Sequence, residues 1–113
     1  MRLVTTLVAT LAALSLLAAR PAPAADAPPE IPLAVEKSRF IPSEVKVKAS
    51  TPFVLVITNK TSAPVEFESK ELRVEKVIPA GQTVRVRMRA LKAGTYAFFD
   101  DFHKETAGRI VVE

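Results

Sequence analysis

The segment that decides the fold lies near the end of the chain and reads Tyr96-Ala97-Phe98-Phe99-Asp100-Asp101-Phe102-His103-Lys104-Glu105-Thr106-Ala107-Gly108-Arg109-Ile110-Val111-Val112. Its pattern predicts a strand, a polar turn and a closing strand, because aromatic and β-branched residues favour extended structure. The turn brings together two carboxylates, Asp100 and Asp101, and the only histidine of the chain, His103. Oxygen and nitrogen ligands on a loop between rigid strands suit a divalent metal of hard or borderline character. The segment therefore predicts a sheet end with a candidate metal site.

The segments before it predict further strands. They are short runs of alternating or continuous apolar residues at positions 31–35, 44–48, 52–59, 64–68 and 82–89. Only residues 69–77 have helical character, from their charged residues and Leu72. About seven short strands separated by turn residues, with hardly any helix, predict an all-β fold in the form of an antiparallel sandwich.

Strand 64–68 presents a second group of carboxylates. Its alternation places Val65 and Phe67 on one face and Glu66 and Glu68 on the other. An exposed strand face and a pair of metal ligands both explain this arrangement. Glu75 is a weaker candidate, because it fits equally well as a surface charge paired with a nearby basic residue.

The turn that contains Asp100, Asp101 and His103 also has two interpretations, a metal site and a solvent-exposed acidic turn. An acidic turn and a lone histidine are common without any metal. If the strand persists through the turn, Asp100 and Asp101 point in opposite directions, so only one of them reaches an ion beside His103.

The N-terminal region predicts export. Residues 1–25 combine a basic start, an apolar run and the small-residue sequence Ala22-Pro23-Ala24-Ala25, which together indicate a secretory signal peptide. An uncleaved membrane anchor is the competing interpretation, since the apolar run is nearly long enough to span. Residues 26–32 are rich in proline and alanine and predict a linker, and residues 33–113 form the domain. After removal of the signal, no stable membrane insertion is expected.

Composition excludes several classes of function. The chain has 16 basic and 12 acidic residues, and loss of Arg2 and Arg20 with the signal leaves a net charge of +2. That charge is too small for a nucleic-acid-binding surface. The absence of cysteine rules out disulfides and thiolate metal sites. No nucleophile triad or phosphate-binding loop is recognisable, which makes a hydrolase or a transferase improbable.

Strand 82–89 carries a row of like charges. Its apolar residues alternate with three arginines that are expected to face solvent: Arg85, Arg87 and Arg89. Such a row resists edge pairing with another chain or meets an acidic partner.

The terminal segment also carries a family resemblance. It is similar to the last two strands of cupredoxins, with Asp100 where the copper-binding cysteine would lie, His103 at the histidine and Thr106 near the methionine. Val65 falls at or near the place of the first histidine. The chain resembles more closely the small periplasmic cupredoxin-like proteins that accompany ferrous-iron permeases in bacteria. That resemblance rests on Glu66-Phe67-Glu68-Ser69, Glu75-Lys76-Val77-Ile78-Pro79-Ala80-Gly81, Phe98-Phe99, Phe102-His103 and Thr106-Ala107.

The resemblance implies a Greek-key β-sandwich of the cupredoxin type, a periplasmic location and a role in iron uptake. Its implied partners are a periplasmic iron-binding protein and an inner-membrane iron permease. The implied ligands of an iron or copper ion are His103, Asp101, Glu66, Glu68 and Asp100. A ferroxidase-type role, in which the protein assists oxidation of Fe(II) for the permease, is an open question at this stage.

The available ligand types exclude some metal ions but do not identify a single one. Without cysteine or a methionine cluster, Cu(I) is disfavoured and a blue-copper electron carrier is excluded, whereas iron, manganese, zinc and Cu(II) stay open. The alternative function is a non-enzymatic module of the periplasm that binds copper or zinc or docks to a partner protein.

Overall fold

The chain folds as two β-sheets packed face to face. A computed structural model describes residues 26–113, together with residue 3, residue 15 and residues 17–21. Within these residues the structure has nine strands: β1 Glu30–Glu36, β2 Arg39–Ile41, β3 Glu44–Val47, β4 Phe53–Asn59, β5 Val65–Ser69, β6 Val74–Ile78, β7 Thr83–Met88, β8 Gly94–Asp100 and β9 His103–Val112. None of the described residues belongs to a helix long and apolar enough to cross a membrane.

The strands are divided between two sheets. Sheet I has the order β2-β1-β4-β7, and sheet II has the order β3-β9-β8-β5-β6. The prediction of an all-β, two-sheet sandwich is confirmed. Most neighbours are antiparallel, as expected, but β1 pairs with β4 and β3 pairs with β9 in parallel. In both parallel pairs the two strands are not consecutive in the chain.

The core lies between the sheets and is built from the inward residues of each strand. Three aromatic rings form its centre near sheet II, with ring centroids 4.9 Å apart for Phe40 and Phe98 and 5.1 Å apart for Phe67 and Phe98. A Cβ atom at Gly108 would lie only 2.5 Å from the Phe98 ring. Glycine at this position therefore lets β9 lie close against the Phe98 ring of β8.

Two segments differ from the sequence prediction. The helical character assigned to residues 69–77 is wrong, because β5 and β6 form a hairpin whose turn ends at Arg73 with φ of 55°. Leu72 in this turn is buried, and its packing outweighs the local helical preference. β1 begins at Glu30 and thus includes the last three residues of the predicted linker. The predicted signal peptide, residues 1–25, lies mostly outside the described residues.

Candidate metal centre

The outer face of sheet II gathers three carboxylates that we call the acidic cluster: Glu66, Glu68 and Asp101. One carboxylate oxygen from each lies within 4.8 Å of the others. Glu66 and Glu68 project together from β5, since alternate residues of a strand share a face. Asp101 follows β8, and its N–H donates a hydrogen bond of 2.9 Å to the carbonyl oxygen of Glu66. That bond fixes Asp101 beside β5.

Glu66 is the most unusual member of the acidic cluster. It is only 8% exposed, and within residues 26–113 its carboxylate receives no hydrogen bond from a donor and no ion pair from a basic side chain. A carboxyl contact with Glu75, together with burial and the neighbouring acidic groups, raises the pKa of Glu66 to about 7. The ionised form of Glu66 is therefore unfavourable at this position, and a bound cation would stabilise it.

The other two members are less buried. Burial and the charges of Asp101 and Glu75 raise the pKa of Glu68, which Lys70 opposes. Asp101 has one basic neighbour, with its Oδ1 atom 3.8 Å from Nζ of Lys104. The net field at the acidic cluster is therefore strongly negative, because two lysines face several carboxylates.

The side chain of Asp100 points away from the acidic cluster and makes a different set of contacts. Its side chain is 3% exposed, and Oδ1 accepts hydrogen bonds from the N–H groups of Glu66 at 2.9 Å and Phe102 at 3.0 Å. The other oxygen, Oδ2, lies 3.2 Å from Nδ1 of His103. Asp100 thus holds together the backbone segments that carry Glu66 and Asp101. Its oxygens are used in the fold and do not face the acidic cluster.

His103 lies at a cavity of about 180 Å³ whose lining also includes Val65, Asp100 and Thr106. These are the four positions that the cupredoxin resemblance assigns to copper ligands. The imidazole is half-exposed, and its Nδ1 is directed at Asp100. A blue copper ion needs a thiolate and two imidazoles, whereas this cavity offers one imidazole, a carboxylate that is already hydrogen-bonded and a buried threonine. These residues do not fit a blue copper ion.

The structure therefore divides the predicted site residues into two groups. Glu66, Glu68 and Asp101 come together, while Asp100 and His103 form a hydrogen-bonded pair beside the cavity. Sequence reasoning underrated Glu75, which stands directly opposite Glu68 in the β5–β6 hairpin. Recognising residues 69–77 as the second half of a hairpin would have revealed this pairing.

Comparisons with known proteins agree with this architecture. Residues 6–112 match the family described as "Cupredoxin-like domain". Over 83 residues the chain is 32% identical to an uncharacterised protein of Rickettsia prowazekii (strain Madrid E), a match that covers 74% of this chain and 66% of that protein. The chain thus spans slightly less than two thirds of that relative.

Several solved structures share the fold at low sequence identity. The metal-binding domain of the Cu(I)-exporting P-type ATPase CopA of Streptococcus pneumoniae D39, described with Cu(I), has a TM-score of 0.68 at 17% identity, covering 74% of this chain and 84% of that one. Auracyanin A of Chloroflexus aurantiacus, a blue copper protein, has a TM-score of 0.65 at 15% identity, covering 77% and 100%. Amicyanin of Paracoccus versutus has a TM-score of 0.61 at 20% identity, covering 74% and 81%. These likenesses confirm the cupredoxin-type sandwich.

Proposed function

Because this chain belongs to the cupredoxin-like domain family, we propose that it is a periplasmic metal-binding protein whose acidic cluster binds iron during iron uptake. The observation that carries this proposal is the convergence of Glu66, Glu68 and Asp101, whose carboxylate oxygens lie within 4.8 Å of one another around a Glu66 side chain that is only 8% exposed. Hard metal ions prefer carboxylate oxygens, and the acidic cluster contains no nitrogen or sulfur ligand. Iron in either oxidation state fits this ligand set, as does Cu(II).

The place in iron uptake rests on the resemblance to the periplasmic proteins of ferrous-iron permease systems. In that role the protein passes iron between a periplasmic iron-binding protein and an inner-membrane permease. The acidic cluster would also assist oxidation of Fe(II), since several carboxylates bind Fe(III) more tightly than Fe(II) and so favour the oxidised ion. Each Fe(II) would give one electron to an external acceptor, for which the resemblance suggests Cu(II), reduced to Cu(I).

A second candidate function is a copper- or zinc-binding or docking module without catalysis. The half-exposed imidazole of His103, held by Asp100, favours it, because a histidine with an oriented ring is a common ligand for both metals. The exposed arginine row, formed by Arg85 and Arg87 of the edge strand β7 and by Arg89 just after it, would be the corresponding docking surface.

Calorimetric titration of the exported protein with Fe(II) under anaerobic conditions, and with Fe(III) citrate and Cu(II) in air, tests the proposal. Glu66→Gln and Glu68→Gln should each weaken iron binding at least 10-fold, an effect of about 1.4 kcal/mol. Glu71→Gln is the matched control, since Glu71 is exposed in the β5–β6 turn outside the acidic cluster. His103→Ala should leave iron binding intact and remove copper or zinc binding if the second function holds.

Two outcomes would contradict the proposal. Iron that binds equally well to Glu66→Gln, Glu68→Gln and the Glu71→Gln control would exclude the acidic cluster as the site. Loss of iron binding in His103→Ala, with both glutamate variants unaffected, would move the site to the imidazole. The uptake role is tested separately, because deletion of the gene should slow growth under iron limitation and leave growth in iron-rich medium unchanged.

A further inference from the structure

We propose that Glu75 is a fourth ligand of the acidic cluster and that the completed site selects trivalent over divalent hard cations, an inference that rests on the proposed function. Neither the acidic cluster as defined above nor the cupredoxin-like resemblance assigns a role to Glu75. The proposal follows from the position of this residue in the β5–β6 hairpin and from the charge that it adds.

The register of the hairpin places Glu75 on the same face as the acidic cluster. Glu68 of β5 and Glu75 of β6 are directly opposite partners, and Glu66 is opposite Val77 in the next row. The Cβ atoms of opposite residues in an antiparallel pair lie about 4.5–5.5 Å apart, so two glutamate side chains there can hold one ion. β6 is the edge strand of sheet II, which leaves this side open to an incoming ion.

Contacts within the structure support the same placement. The carboxyl group of Glu75 lies within hydrogen-bonding reach of that of Glu66. Glu75 itself makes no ion pair among residues 26–113. Like charges directly opposite each other destabilise a sheet. A bound cation would convert this repulsion into attraction, to which Lys70 and Lys104 already contribute in part.

The charge of the completed site points to a trivalent cation. Glu66, Glu68, Glu75 and Asp101 carry four negative charges when ionised, and the lysines that face them are Lys70 and Lys104. Coulomb attraction scales with the charge of the ion, so each carboxylate contributes 1.5 times as much to log affinity for a trivalent as for a divalent cation. Removal of one carboxylate should therefore reduce trivalent binding about 100-fold when it reduces divalent binding about 20-fold.

The test uses redox-inert probes so that oxidation cannot confuse the result. Tb(III) luminescence reports trivalent binding, Ga(III) competes for the same site, and Mn(II) bound to the full exported chain reports divalent binding. We expect the parent to prefer Tb(III) to Mn(II), and Glu75→Gln to lose about 100-fold in Tb(III) affinity and about 20-fold in Mn(II) affinity. Glu71→Gln, which removes the same charge from the adjoining turn, should change neither by more than about 2-fold.

The outcomes separate this inference from the proposed function. A parent protein that binds neither probe would overturn the proposed function itself. A parent that binds both probes, with Glu75→Gln indistinguishable from Glu71→Gln, would overturn only the role of Glu75. Equal losses for Tb(III) and Mn(II) in Glu75→Gln would overturn the selectivity. Glu75→Gln should melt no lower than the parent, because the substitution removes a like-charge contact and no apolar packing.

Discussion

Replacement of Asp100 by alanine should destabilise the protein and weaken metal binding at a site that Asp100 does not touch. The buried carboxylate accepts hydrogen bonds from the N–H groups of Glu66 and Phe102, at 2.9 and 3.0 Å. A hydrogen bond to a charged group contributes about 1.5–3 kcal/mol, so loss of both should cost about 3–6 kcal/mol. That is a large part of the stability of a small domain, which is about 5–15 kcal/mol.

Asp100→Asn separates the hydrogen bonds from the charge. The amide oxygen can still accept from both N–H groups, and the amide nitrogen can donate to His103. We therefore expect this variant to lose less than about 2 kcal/mol and to keep most of its iron affinity. Asp100→Ala should lose iron affinity because Glu66 and Asp101 are carried by the two backbone segments that Asp100 joins.

Urea denaturation followed by circular dichroism at pH 7 measures the free energy of unfolding, and calorimetry measures the iron affinity. Glu105→Ala serves as a control for loss of one acidic residue, since Glu105 is exposed on β9. An Asp100→Ala protein within about 1 kcal/mol of the parent would refute the assigned hydrogen bonds, because their summed contribution is several times larger. An Asp100→Asn variant as damaged as Asp100→Ala would show that the charge, and not the acceptor geometry, stabilises this region.

Three further predictions concern the acidic cluster, the aromatic centre and the arginine row. The pKa of Glu66 is about 7 in the fold against an ordinary 4.5, so the folded state holds the proton more tightly than the unfolded state does. The melting temperature of the metal-free protein should therefore fall as the pH rises from about 4.5 through about 7, while iron affinity rises over the same interval. Glu66→Gln should flatten both pH profiles. Gly108→Ala would place a methyl group 2.5 Å from the Phe98 ring and 2.6 Å from the carbonyl oxygen of Ser43; we expect a loss of about 1–3 kcal/mol in urea denaturation, and a neutral result would contradict the close packing described here. Replacement of all three arginines of the row by glutamine should leave the melting temperature within a few degrees of the parent: Arg85, Arg87 and Arg89. The reason is that these side chains are exposed and none pairs with the acidic cluster. A large drop in melting temperature would disprove that interpretation.

The fold was largely predictable from sequence because its determinants are local. Alternation in residues 64–68 places Phe67 inward and Glu66 outward whatever the strand pairs with, since successive side chains of a strand point to opposite faces. The same rule predicted that Asp100 and Asp101 diverge. Local preference failed at residues 69–77, where charged residues suggested helix and burial of Leu72 enforced a hairpin.

The sequence by itself determined the class of fold, the inward and outward faces of its strands and the residue types available for a metal. Only the tertiary structure decided which of those residues meet. Glu66 and Asp100 are 34 positions apart, and their contact depends on the pairing of β5 with β8. The register of the hairpin places Glu75 opposite Glu68, and His103 contacts Asp100 instead of the acidic cluster. Register is set by packing of the whole sandwich, because a shift of one residue would exchange the buried and exposed faces of a strand, and no local pattern contains that information.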